Sequence, residues 1–131
     1  MMYGRTDADW DELVAAGRRF LEEQARLRQT TSYTEMNAVL ARRTGVRAFD
    51  FDREDERAAM GHLLGLIVDE TYPENAVMLS ALVQYLNEND AGPGFYQLAK
   101  DKGLLPRGAD ATERLAFWAG QVKAVHEHYG R

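Results

Sequence analysis

The stretch from Thr30 to Ala99 most constrains what this chain can fold into, because three local signals follow one another there in a fixed order. TTSYTEM at 30–36 offers Ser32 as a helix cap with Glu35 three residues on, the spacing of a capping box, and Gly45 supplies a left-handed stop. RAAMGHLLG at 57–65 begins a second helical pattern, with Met60, Leu63, Leu64 and Ile67 on one face. An apolar run over 77–86 then leads into Gly92-Pro93-Gly94, a composition that suits a type II turn. The order predicts two helices feeding a β-ribbon that returns over 95–98. FYQLAKDKG equally suits a helix stopped at Gly103, and the residues leave both readings open.

Helices are expected on either side of this stretch. Trp10, Leu13, Val14, Gly17, Phe20, Leu21 and Gln24 recur at spacings of three and four, which predicts a helix over about 9–28. Asp110 with Glu113 opens a last helix, whose Leu115, Trp118, Val122, Val125 and Tyr129 share a face. His126 and His128, two apart on it, point away from each other, so no shared metal is expected. The helix around 57–65 opens in DFDREDER, where Asp50 or Asp52 can cap. Gly61 and Gly65 expose bare backbone on it and predict a closely packed neighbour, for which the first helix is the candidate. The predicted fold class is mainly α with a small β-hairpin. Met36, Leu40, Leu63, Leu64, Ile67, Leu82 and Trp118 are expected in one core.

At 131 residues and 45% hydrophobic content, the chain suits one domain that buries roughly two-thirds of its unfolded surface. Within 1–131, residues 1–29 read as an N-terminal helix, 30–99 as the central unit, and 100–131 as a C-terminal loop and helix. The absence of cysteine excludes disulfides, thiolate zinc sites and cysteine nucleophiles together. MMYGRTDADW at the start has no apolar leader, and no run approaches the roughly 18 apolar residues of a membrane span. A cytoplasmic location without a membrane partner is therefore expected.

Net charge is −5, and its distribution is two-sided. Over 13–49, Arg18, Arg19, Arg26, Arg28, Arg42, Arg43 and Arg47 face only Glu22, Glu23 and Glu35, a net of +4. Over 50–99, Arg53 and Arg57 face ten acids, among them Asp50, Asp52, Glu54, Asp55, Glu56, Glu88 and Asp90, a net of −8. The arginines form one candidate interaction surface and those seven acids another. Phe95 and Tyr96 beside Gly94 form a third, a candidate aromatic patch on the ribbon.

TTSYTEM, RAAMGHLLG and GPGFY at 92–96 resemble, in order and partly in letters, the winged-helix half of the alkylguanine-DNA alkyltransferases. They are more similar still to a group of small uncharacterised bacterial proteins with a "YTEL … LLSALVV … PGxGFxxLA" pattern. That pattern is matched by Tyr33-Thr34-Glu35-Met36, Leu79-Ser80-Ala81-Leu82-Val83 and Pro93-Gly94-Phe95-Tyr96, about half the chain. The resemblance implies a winged-helix-like domain. It does not carry the activity, because the Pro-Cys-His-Arg motif of the alkyltransferases corresponds to Leu79-Ser80-Ala81-Leu82 here, and alkyl transfer has no nucleophile.

In a winged helix the 53–70 helix reads the DNA groove and the 87–94 turn is the wing. Acids crowd that helix start, Asn87-Glu88-Asn89-Asp90 occupies the wing tip, and no Lys or Arg occurs between 58 and 99. Phosphates repel such a surface, since nucleic-acid affinity comes largely from Lys and Arg. The sequence thus points to a non-enzymatic interaction or regulatory domain that binds a protein partner or itself. The alternative is an atypical nucleic-acid binder that uses the arginine surface. An enzyme would have to be assembled from Tyr33, Glu35, His62, Ser80 and the acids after Asp50, which no spacing joins; no catalytic residue, metal ligand or cofactor is expected.

Overall fold

The structure, a computed structural model, describes residues 1–85 and 90–130. Thr6 starts the first helix, α1 (Asp7–Arg26), through a reciprocal cap. Its hydroxyl accepts the Asp9 N–H at 3.1 Å, and the Asp9 carboxylate accepts the Thr6 N–H at 3.0 Å. This cap sets the start two residues before the point that apolar periodicity marks. The far end comes earlier too, because Arg28 turns to φ 54° and breaks the helical path.

A two-residue strand, β1 (Thr31–Ser32), leads directly into α2 (Tyr33–Thr44). Ser32 caps it by accepting the Glu35 N–H at 3.1 Å, and Gly45 ends it at φ 74° with its N–H on the Ala41 carbonyl at 3.0 Å. Only half of the expected capping box forms. The Glu35 carboxylate accepts instead from the Thr31 hydroxyl. Helix α3 (Glu54–Asn75) begins at Arg53, which gives no side-chain cap. Asp50 and Asp52 do not cap it: the Asp50 carboxylate accepts the Asp52 N–H at 3.1 Å and folds the preceding turn on itself.

The expected β-hairpin is replaced by a different arrangement. The run after Val77 forms a 3₁₀ helix (Leu79–Leu82) and then a short strand, β2 (Val83–Gln84), which pairs with β1 in parallel, Thr31 opposite Val83 and Ser32 opposite Gln84. Its uninterrupted apolar character reflects burial on all sides: every residue from Val77 to Val83 is buried. Leu86, Asn87, Glu88 and Asn89, which include most of the expected wing tip, lie outside the described residues. Gly92-Pro93-Gly94 is no ribbon turn. Gly92 is the N-cap and Pro93 the first residue of α4 (Pro93–Asp101), where the fixed proline φ suits a helix and its missing N–H costs nothing. The helical alternative for FYQLAKDKG is the one adopted, and Gly103 stops it at φ 75°. Helix α5 (Ala111–Tyr129) opens at Asp110 with the full capping box to Glu113.

Met36, Leu40, Leu63, Leu64, Ile67 and Leu82 meet in one apolar cluster among α1, α2, α3 and the 3₁₀ helix, as expected. Trp118 does not join them. It is half-buried against a second cluster of Val68, Met78, Phe95, Tyr96 and Leu105, with its indole N–H on the Ala81 carbonyl at 2.8 Å, and Val122 touches both clusters. Leu115 is 48% exposed and leaves the predicted α5 face, of which Val125 alone is fully buried. The close helix approach also falls elsewhere than expected. A Cβ at Gly61 or Gly65 would meet nothing within 4 Å, whereas one at Gly17 would lie 2.7 Å from Ile67 Cδ1. Helix α1 carries the gap through which α3 approaches. Among the described residues no helix is long and apolar enough to cross a membrane.

Candidate functional site

The charged surfaces expected from the sequence are rearranged by one buried network. Arg5 is 1% exposed and donates to both oxygens of Glu56, itself 2% exposed, at 2.9 and 3.1 Å. Arg47 donates to the same carboxylate at 2.8 Å, and the Asp50 N–H approaches it at 3.3 Å. The Arg5 guanidinium lies 4.1 Å from the Phe49 ring centroid, which covers its charge with a π-face. Hydrogen bonding from Arg5, opposed by burial and helped by the Asp50 amide and Arg47, holds the Glu56 carboxyl down at about 2. Glu56 is therefore no part of an exposed acidic patch, and Arg47 is tied to a structural carboxylate. Arg5 could not be found from the sequence, because its partner lies 51 residues away and no local pattern marks it.

The remaining arginines divide into paired and unpaired. Arg18 reaches Glu74 at 2.7 Å, Glu22 at 3.5 Å and Glu70 at 3.9 Å. Arg43 grips Glu23 with two bonds of 2.9 and 2.8 Å, and lowers the Glu23 pKa chiefly through those bonds. Arg19, Arg26, Arg28 and Arg42 are exposed and make no ion pair among the described residues. Of the acids, Asp50, Asp52, Glu54 and Asp55 are exposed, with Asp55 held by Arg53 at 2.7 Å. Glu88 lies outside the described residues, and Asp90 is half-buried.

Arg18, Arg19 and Arg26 share a shallow concavity of about 450 Å³ with Glu22 and Glu70, and two further concave surfaces bear on recognition. The first is a groove of about 430 Å³ between α1 and α3, floored by Trp10, Val14 and Leu66 and rimmed by Asp11 and Glu70. Asp11 carries no local signal in the sequence, because only the long-range packing of α1 on α3 places it beside an apolar floor. The second is an open cleft of about 550 Å³ beside α4, lined by Tyr85, Asp90, Pro93, Tyr96, Lys100 and Arg114. Phe95 and Tyr96 are not an exposed patch: they are 5% and 7% exposed, because the helix turns both into the second cluster. The Tyr96 hydroxyl alone works on the cleft, donating to Asp90. Behind it the rings of Tyr33 and Tyr85 lie 5.1 Å apart, and both hydroxyls crowd Gly92, where a Cβ would come within 2.9 Å of the Tyr33 oxygen. Burial pushes the Tyr33 phenol up to about 12.

The residues from which an enzyme would be assembled are dispersed. His62 packs edge-on against Trp10 at 5.0 Å, Glu35 is engaged by Thr31, Tyr33 faces Tyr85, and Ser80 is buried with no hydrogen-bond partner among the described residues. Among those residues no group of three His, Asp or Glu is placed to hold a metal. His126 instead meets the Gln29 carbonyl at 3.0 Å, and His128 packs on Tyr129. No family model, curated protein or solved structure matches this chain.

Proposed function

We propose that this chain is a non-enzymatic interaction domain that binds a basic, amphipathic segment of a protein partner, or of a second copy, in the groove between α1 and α3. The observation that carries this reading is the groove itself, with Trp10, Val14 and Leu66 as an apolar floor and Asp11 and Glu70 on the rim. An apolar helix face fits such a floor while its lysines or arginines meet the rim. The resemblance to the alkyltransferase winged-helix half enters here as kinship of layout, with α2 and α3 as its helix pair and no alkyl-transfer chemistry.

The test is binding of a fluorescent amphipathic Leu/Lys peptide and of its Leu/Glu counterpart at low and high salt. The Leu/Lys peptide should bind more tightly, weaken as salt rises, and weaken further in the double variant Asp11→Lys with Glu70→Lys. Equal binding of both peptides, or of neither, overturns the reading. Sedimentation at the same two salt concentrations distinguishes a second copy from a foreign partner.

A second reading, nucleic-acid binding through the arginine surface, draws on the four exposed arginines 19, 26, 28 and 42 without ion pairs among the described residues. In that case affinity for random duplex falls steeply with salt, and Arg19→Ala with Arg42→Ala flattens the slope by about one to two units.

A further inference from the structure

The cleft beside α4 shares no residue with the α1–α3 groove, and its charges are arranged for a different kind of ligand. Lys100 and Arg114 are half-buried on it, and neither pairs with a carboxylate among the described residues. Arg114 is nonetheless held in place: Nη1 donates to the Ala109 carbonyl at 2.8 Å, and the guanidinium sits 5.9 Å from the Tyr96 ring centroid. The Tyr96 hydroxyl itself donates to one Asp90 oxygen. Burial, with Asp90 beside it, pushes the Tyr96 phenol up, so it stays a donor at any ordinary pH and fixes the carboxylate's orientation. The second Asp90 oxygen has no partner among the described residues. Tyr85, 42% exposed, supplies an open aromatic wall.

One cleft thus carries a carboxylate fixed by the Tyr96 hydroxyl, a guanidinium beside the same ring, and the Lys100 ammonium. Half-buried charges without a counter-charge among the described residues are complemented by a ligand that carries both opposite charges at once. We propose that the cleft binds a zwitterionic α-amino acid, its carboxylate on Arg114 and Lys100, its ammonium on Asp90, and an apolar or aromatic side chain against Tyr85. A plain anion would satisfy the two cations but leave Asp90 repelling it. A plain cation would leave Arg114 and Lys100 facing it.

Three probes with the same ring separate these cases in the full chain: phenylalanine, phenylacetate and phenethylamine, each titrated while amide NMR shifts are followed. Phenylalanine should shift residues 90–100 and 114 saturably, with a dissociation constant at or below about 1 mM, and the two singly charged probes should bind at least about tenfold more weakly. Arg114→Gln with Lys100→Gln should weaken phenylalanine by about tenfold or more, while Arg107→Gln, on a surface residue paired with Asp101, should leave it unchanged. Phenylacetate binding as tightly as phenylalanine, shifts centred away from the cleft, or no saturable shift would each overturn the proposal. Because the ligand series needs no variant, misfolding of the double variant leaves the test intact, and because the α1–α3 groove lies elsewhere, either proposal can fail alone.

Discussion

The Arg5–Glu56 pair decides more at the scale of single residues than any exposed charge. Both groups have left water, so removing one strands the other in a low-dielectric site. Glu56→Gln should lower unfolding stability by about 3–5 kcal/mol in urea titration at pH 7. The pH dependence has a defined sign. The folded carboxyl lies near 2 against an ordinary 4.5, so its stabilisation is complete above the ordinary value and is lost as pH falls from there toward 2. By pH 3 the difference between wild type and Glu56→Gln should have shrunk by about 2 kcal/mol. Ser80 is the opposite case. Its buried hydroxyl meets no partner among the described residues, so Ser80→Ala should leave stability unchanged or raise it by up to about 1–3 kcal/mol. A large loss in thermal denaturation would mean that the hydroxyl is bonded after all.

Among the elements, α3 shows how one helix divides its two faces. Leu64 is 6% exposed in the first cluster, and Leu64→Ala should cost about 2–5 kcal/mol in the same urea assay, through lost burial and the cavity left behind. Gly61 and Gly65 face open space on the same helix. With nothing to clash, Gly61→Ala and Gly65→Ala should each raise stability by up to about 1 kcal/mol, since alanine restricts the unfolded chain and favours helix. Gly17→Val in α1 should do the reverse, because its side chain would press on Ile67 and Met36. A helix-wide glycine rule fails here; the facing element decides each sign.

For the molecule as a whole, the consequence of pairing is that sequence charge blocks overstate surface charge. Arg18, Arg43 and Arg47 are each tied to glutamates, which leaves Arg19, Arg26, Arg28 and Arg42 as the arginines of that set without an ion pair among the described residues. Random duplex DNA should accordingly bind weakly or undetectably at physiological ionic strength, as gel-shift titration would show, because the net charge of −5 opposes a polyanion. Sub-micromolar, salt-sensitive binding would promote the arginine reading over the groove.

Local chemistry was legible along the chain wherever the relevant partner lies within a few residues. The Ser32 cap, the Gly45 stop, the Asp110–Glu113 box and the apolar periodicity of α3 all depend on neighbours one to four positions away, so the sequence alone determined them. Even the ambiguity at 95–102 was a true local one, since Gly-Pro-Gly serves a turn or a helix start equally. Tertiary structure decided the rest, because burial and pairing are set by distant segments. It chose the helix for α4 by turning Phe95 and Tyr96 into a core, joined β2 to β1 in parallel across the chain, and placed α1's Gly17 against α3. It also drew Glu56 out of the acidic run to meet Arg5, an attraction that only the folded, water-excluding interior makes strong.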